Sequence, residues 1–411
     1  MGNKRRVVVV GMGIRSPIGN TLGELIKSLQ EHRSGISVMP EWEGVRSLRT
    51  RVAGLCHIED EEESIPRPYR RSMGRVAMLA ALSAMDAVKA SGLSEEEIAS
   101  QICGVSYGST EGSVKSQMEY IGNMIQNRSL EGIPPSWYLK CMSHTCAGNL
   151  SILFHTRGPF IASCPACVSG SQGIGFGYEA IKAGNADLMI TGGADEVDLL
   201  SAAVFDLMMA TSSNYNDRPS ETPRPFDEKR DGLVVAEGAA TLILEEYERA
   251  KNRGAPIFGE IEGFWTNASG MHLTNSDARS MEECLLAALK DAGRSPDEIK
   301  YVNAHATGTT HGDEVEATVI HKIYGPAVPT ASLKGYMGHT MGACGAIEAI
   351  TTLLMMREGF IAPTLNLENP DPSLPPLNHV IDKSRDHRFR LAANNNFAFG
   401  GVNTSLVLSL V

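Results

Sequence analysis

Apolar runs alternate with amphipathic stretches along most of this chain, an order that builds layered α/β architecture. RRVVVVGMG holds four successive valines with no polar face, which predicts a buried strand. TLGELIKSLQEHRSG carries apolar residues at helical spacing and predicts a helix closing at Gly35. RVAMLAALSAMDAVKASG predicts a long Ala-rich helix, closed by Gly92 and buried over much of its surface. ICGVSYGST and PFIASCPA read as strands, VSGSQGIGFGYEAIKAG as a helix studded with small residues, and DLMITGGADEV as a further strand. LVVAEGAATLILEEYERAKNRG predicts a strand pair running into a helix.

After about residue 255 a similar order returns. FGEIEGFWTNA is strand-like, SMEECLLAALKDAG helical, and IKYVNAHATG a strand that ends at His305. GACGAIEAITTLLMMREG predicts a helix, and RFRLAANNNFAFGG with VNTSLVLSLV the closing strands. A strand, a turn and a small-residue helix thus occur around Cys167 and again around His339. The 411 residues exceed one ordinary domain and fit two fused halves, 1–255 and 256–411. SSNYNDRPSETPRPFDEKRDG reads as an ordered surface excursion between elements.

Composition narrows the function. Hydrophobic residues make up 42% and charged residues 21%, which supports a large core and argues against disorder. The net charge of −11 argues against a nucleic-acid binder, whose footprint is basic. MGNKRR precedes an apolar run too short for export and better read as the first strand. No apolar stretch reaches the roughly 18 residues of a membrane span. Eight cysteines in this length are no disulfide framework, so a reducing cytoplasm is the expected compartment.

The chemistry concentrates in three segments: Cys167 in SCPACVSGSQG, His305 in YVNAHATGTTHGD, and His339 in SLKGYMGHTMGACGAIEA. A thiol beside two imidazoles can carry an acyl group as a thioester and stabilise charge on a second one. Cys167 falls between a strand and a helix start, where unpaired N–H groups and the helix dipole lower a thiol's pKa. Ser169 and Gly170 leave room for a substrate carbonyl. Thr307 and Thr309, at alternating positions after His305, suit the amides of a pantetheine arm. Cys164 and Cys167, with Cys141 and Cys146 upstream, also make the paired-cysteine pattern of a zinc site. Against zinc, the second pair spans a strand end and a helix tip. GMGIRSPIG loosely matches a dinucleotide loop, but no suitably spaced acid follows.

In the order Cys, His, His, and followed by NNNFAFGGVN, these segments resemble the elongation-type β-ketoacyl-acyl-carrier-protein synthases. These are condensing enzymes of fatty-acid and polyketide assembly with a thiolase-like fold. The resemblance implies a five-layered αβαβα sandwich of two similar halves. It implies decarboxylative Claisen condensation of a Cys167-bound acyl chain with malonyl-carrier protein. His305 would bind the malonyl thioester carbonyl and assist decarboxylation, and His339 would donate an Nε2 proton to the same oxygen. Lys334, Glu348, Asp313 and Glu316 match the supporting polar network. Phe399 matches the aromatic gate of the acyl channel, with Gly400 and Gly401 as hinges and Phe205 as a pocket wall. Ala398 stands where the family carries glycine.

No metal or resident cofactor is implied, since the phosphopantetheine arm belongs to the acyl carrier protein. Arg67, Arg70 and Arg71 fall where carrier-docking positive residues lie, with Ser72 in place of a further one. Glu111 occupies the place of an apolar residue at the far end of the acyl pocket, which points to a polar or partner-completed pocket, or else to a side chain turned outward into the dimer interface. The resemblance implies a homodimer, or a heterodimer with a chain-length factor. A non-catalytic chain-length-factor-like subunit is the alternative, disfavoured by the intact cysteine. The segments around Cys167 and His339 look closer to the aryl-polyene group.

Overall fold

The computed structural model describes residues 5–271, 274 and 276–411. The first half contributes β1 (Val7–Arg15), α1 (Arg75–Ser91), β2 (Cys103–Gly108), α2 (Thr145–Phe154), β3 (Phe160–Ser163), α3 (Ser169–Lys182), β4 (Leu188–Asp195) and β5 (Gly238–Glu246). The second contributes β6 (Gly259–Ala268), α4 (Ala278–Ala292), β7 (Val302–Asn303), α5 (Thr310–Tyr324), β8 (Pro329–Ala331), α6 (Cys344–Glu358), β9 (Leu391–Ala398) and β10 (Val402–Ser409).

The two halves repeat one topology. In the first, the strand order is β3-β2-β4-β5-β1, with β3, β2 and β4 parallel and β5 antiparallel to both its neighbours. In the second, β8-β7-β9-β10-β6 repeats that order and those directions. The inner edges meet where Val7–Val9 of β1 pair antiparallel with Gly259–Ile261 of β6. All nine residues of β1 are buried, as a strand covered on both faces requires.

Helices α3 and α6 lie against each other between the two halves of this continuous sheet. Helices α1 and α2 cover the outer face of the first half, and α4 with α5 that of the second. The result is the expected αβαβα layering. No described helix is long and apolar enough to cross a membrane.

Local differences from the sequence reading have physical causes. The helix predicted to reach Gly35 spans Leu22–Gln30. It stops because His32 takes a left-handed φ of 51° and the Arg33 N–H returns to the Ser28 carbonyl at 2.9 Å. In GMGIRSPIG, Gly11–Arg15 complete β1 and Ser16–Gly19 close a tight turn, the N–H of Ser16 and of Gly19 each donating to the other's carbonyl at 3.2 Å. A Cβ on Gly11 would lie 2.1 Å from the Ala87 carbonyl, so this glycine lets α1 pack directly on β1.

The strand pair predicted from Leu233 is one strand, β5, preceded by an extended segment. Leu233, Val235 and Ala236 make single bridges to Thr211, His339 and Gly54. The strand predicted through His305 pairs only at Val302–Asn303. It leaves the sheet because the N–H groups of His305 and Ala306 donate to the Glu316 carboxylate, at 2.7 and 2.6 Å.

Candidate active site

Cys167 lies in the 3-10 turn Ala166–Val168, between β3 and the first residue of α3. The turn begins with Ala166 at a left-handed φ of 53°, a strained value for a residue with a side chain. His339 reaches it from the second half. Its backbone is clamped by Val234–Ala236: the His339 N–H donates to the Val234 carbonyl at 2.7 Å, and the Ala236 N–H donates to the His339 carbonyl at 2.9 Å. This places His339 Nε2 at 3.0 Å from Cys167 Sγ. The His305 ring stands edge-on to His339, with centroids 5.1 Å apart. All three residues line one pocket with Phe205, Thr307, Thr309 and Phe399.

Lys334 lies behind His305. Its Nζ is 3.4 Å from His305 Nδ1 and donates to Glu348 Oε1 at 2.5 Å. Both members of this ion pair are buried, so it is no ordinary surface bridge. Burial works against the charge on Lys334, but Glu348 outweighs it and holds the ammonium above its ordinary range. Burial, with Lys334 alongside, pushes both imidazoles well below their usual value, so both are neutral near pH 7.

Burial also pushes the Cys167 thiol up to about 12, against a partial pull down from Lys334. The lowered thiol pKa expected from the helix start is therefore not what this enclosure gives. Nor do Ser169 and Gly170 leave space for a substrate. Ser169 Oγ donates to the Ala166 carbonyl at 2.6 Å, and a Cβ on Gly170 would meet the Gly342 carbonyl at 2.6 Å. Gly170 serves the contact between the two halves.

Two models for this class of protein match the chain: "Beta-ketoacyl synthase, N-terminal domain" over residues 4–250, and "Beta-ketoacyl synthase, C-terminal domain" over residues 258–368. The chain belongs to the β-ketoacyl synthase family. A crystal structure of a β-ketoacyl synthase from Burkholderia phymatum is 43% identical, with a TM-score of 0.96 over 99% of this chain and 100% of that one. The 3-oxoacyl-[acyl-carrier-protein] synthase 1 of Haemophilus influenzae is 34% identical over 404 residues, 98% of each chain. The ishigamide ketosynthase/chain length factor is 29% identical, with a TM-score of 0.92 over the full length of both chains.

In this β-ketoacyl synthase the remaining predicted residues separate by place. Glu316 is coupled by charge to both Lys334 and Asp313, while the hydrogen bonds of the two carboxylates go to backbone. Glu316 holds the backbone of His305 and Ala306, and burial pushes it up to about 8. Asp313 accepts from the N–H groups of Phe226 and Gly308, at 2.8 and 3.1 Å, and burial pushes it up to about 6. Both shape the loop carrying His305. Thr307 and Thr309 stand 3.1 Å apart at their hydroxyls.

Phe399 opens the three-residue turn between β9 and β10, and its ring lies 5.6 Å from that of Phe205. Gly400 and Gly401 take φ values of 86° and 70°, which this turn demands. A Cβ on Gly401 would also lie 2.0 Å from Ser269 Oγ.

Other predicted positions lie away from this pocket. Glu111, half-buried, is not among its lining residues. Burial and the nearby Asp198 hold its carboxyl above the usual range. Arg67, Arg70 and Arg71 belong to a short helix and its cap, braced on α2 through Ser72 and Asn149. Arg67 and Arg71 are exposed, whereas Arg70 donates to the Glu62 carbonyl at 3.0 Å. Cys164 is exposed and Cys146 buried. Among the described residues no three His, Cys, Asp or Glu side chains are grouped to hold a metal.

The sequence reading missed Asn396, Ser171 and Cys344, all buried: Cys344 donates to the Cys167 carbonyl, and Asn396 touches Ser171 and His305. The available signal was NNN in a predicted strand, since asparagine is depleted in strands.

Proposed function

We propose that this chain is a 3-oxoacyl-[acyl-carrier-protein] synthase, joining an acyl group on Cys167 to a malonyl group on carrier protein. The observation that carries this reading is the 3.0 Å contact of Cys167 Sγ with His339 Nε2, with neutral His305 beside it.

In the first step the Cys167 sulfur attacks the thioester of acyl-carrier protein. The bond from carbonyl to pantetheine sulfur breaks, and the thiol proton passes to that sulfur. His339 Nε2–H, 3.0 Å from the sulfur, donates to the thiolate as it develops, because the enclosed thiol does not ionise unaided. Malonyl-carrier protein then enters along Thr307 and Thr309. Its carboxylate leaves as carbon dioxide, and the electron pair of the broken C–C bond forms an enolate at the thioester carbonyl.

His305 faces the donors Lys334 and Asn396 at Nδ1, so its proton sits on Nε2, toward the pocket. It donates to the enolate oxygen, as His339 does from its own Nε2. Fixed donors in a water-poor site need no reorganisation as that charge develops. The enolate carbon attacks the Cys167 thioester, a C–C bond forms, and Cys167 leaves and takes up a proton. The sum is acyl-carrier protein, malonyl-carrier protein and one proton giving 3-oxoacyl-carrier protein, carbon dioxide and free carrier protein.

An intact thiol in contact with an imidazole favours catalysis over a chain-length-factor-like subunit. The reaction serves chain elongation in fatty-acid or polyketide assembly within the cytoplasm, on a dimer of like or unlike subunits. We place carrier docking on Arg67, Arg70 and Arg71. Charge reversal at Arg70 and Arg71 then raises KM for carrier protein at low salt and less at high salt. The test of function is incubation with defined acyl- and malonyl-carrier proteins, followed by intact mass. A carrier-bound 3-oxoacyl product, longer by one two-carbon unit, is expected. Its absence with both carriers loaded overturns the reading.

A further inference from the structure

Strand alternation sends Asn394 and Asn396 of β9 to one face, and both are fully buried. A buried amide is tolerated where its donors and acceptor are used. Asn396 uses both. Its Nδ2 donates to Glu348 Oε2 at 2.6 Å and lies 3.4 Å from His305 Nδ1. Its Oδ1 accepts from Ser171 Oγ at 2.5 Å. A carboxylate can only accept, so Glu348 fixes which end of the amide faces it.

The same Nδ2 lies 3.7 Å from Cys344 Sγ, and the Cys344 thiol donates to the Cys167 carbonyl at 3.2 Å. One side chain therefore touches the support of His305 and, through Cys344, the turn that carries the nucleophile. Lys334 alone does not secure His305, because its ammonium is drawn toward Glu348. Asn396 occupies the other Glu348 oxygen and adds a second donor at His305 Nδ1.

We propose that Asn396 is a positioning residue for decarboxylation, holding His305 with its proton on Nε2 and facing the pocket. This rests on the reading of His305 as donor to the malonyl carbonyl. It follows that changes at Asn396 separate the two half-reactions, since acyl transfer needs Cys167 and His339 while decarboxylation also needs the His305 proton.

The test compares wild type, Asn396→Leu and Asn396→Asp in acyl transfer to Cys167, read by intact mass, and in carbon dioxide release from malonyl-carrier protein. In Asn396→Leu, loss of one hydrogen bond lowers carbon dioxide release about tenfold. Its acyl transfer stays within about threefold of wild type, and KM for malonyl-carrier protein within about twofold, on the same one-bond scale. In Asn396→Asp the new carboxyl stands beside Glu348, and once both are ionised it accepts at Nδ1 and draws the ring proton there, leaving Nε2 without one. Carbon dioxide release is then lost at pH 8 and recovers toward pH 6, where the Asp–Glu348 pair takes up a proton and the carboxyl at residue 396 donates to Nδ1 again. Wild type shows no such recovery. If both half-reactions fall together in Asn396→Leu, if neither falls, or if Asn396→Asp keeps the wild-type pH profile, the proposal is overturned. If wild type itself releases no carbon dioxide, the functional reading fails and this proposal with it.

Discussion

Two turns of one shape face each other at the centre of the molecule. Ala166–Val168 leads into α3 and Met341–Ala343 into α6. Each opens on a residue with a side chain in the left-handed region, Ala166 at φ 53° and Met341 at 47°. The first turn carries Cys167 at its second place. The second carries Gly342 there, whose N–H donates to Asp195 Oδ2 at 2.6 Å. Two residues before each turn stand Cys164, exposed, and His339, buried against Cys167. A repeated topology thus supplies the same bend twice, and different side chains give one copy the thiol and the other the imidazole that meets it. It also accounts for the CxxC pattern: its first cysteine, Cys164, occupies the place that matches His339.

The largest effect on this comparison comes from removing the charge behind the second half's histidine. Lys334→Ala leaves Glu348 buried without its cation and destabilises the fold by about 3–5 kcal/mol, read by chemical denaturation. Replacing both residues by methionine and leucine recovers most of that loss while condensation stays impaired. A Lys334→Ala protein as stable as wild type contradicts the buried pair.

Next come the histidines, which the comparison assigns unequally. Either His305→Ala or His339→Ala lowers decarboxylation by about 10²–10³-fold if each supplies an oxyanion-type donor. Only His339 touches the thiol, so His339→Ala also slows acyl transfer to Cys167, whereas His305→Ala largely spares it. Equal effects of the two variants on acyl transfer break the distinction.

These residues were unequally legible in the sequence. Cys167, His305 and His339 stand in segments whose glycines and hydroxyls mark them, and the layered fold follows from apolar periodicity. Lys334 and Glu348 are 14 positions apart in sequence, and nothing in that spacing says that both are buried. The Cys167 thiol was misjudged because a helix start is visible in sequence while the enclosure around it is not. The strand through His305 is cut short by Glu316, a side chain taking backbone donors, which periodicity cannot anticipate. Asn396 went unread because its partners come from α3, α6 and the His305 loop, elements far apart in the chain.

A smaller effect is expected at the second turn. A Cβ on Gly342 would lie 2.7 Å from Asp195 Oδ2 and 3.2 Å from Ser169 Cβ, so Gly342→Ala overpacks the contact between the halves. The expected cost is about 1–3 kcal/mol of stability, and an unchanged denaturation midpoint counts against the close contact.

A further effect is a pH slope at the same place. Burial pushes Asp195 from 3.8 up to about 7, despite donors from Thr110 and Gly342. The native state therefore holds this proton more tightly than the unfolded chain, and stability falls as pH rises between about 4 and 7. Asp195→Asn flattens that part of the profile, and a slope identical to wild type contradicts the assignment.

The central claim is that Cys167, in the first of the two turns, takes the acyl group. Intact mass after incubation with acyl-carrier protein, with peptide mapping of the adduct, tests it most directly. One acyl mass on Cys167 is predicted, absent from Cys167→Ala. An acyl group on Cys164, or an adduct that survives in Cys167→Ala, would contradict it.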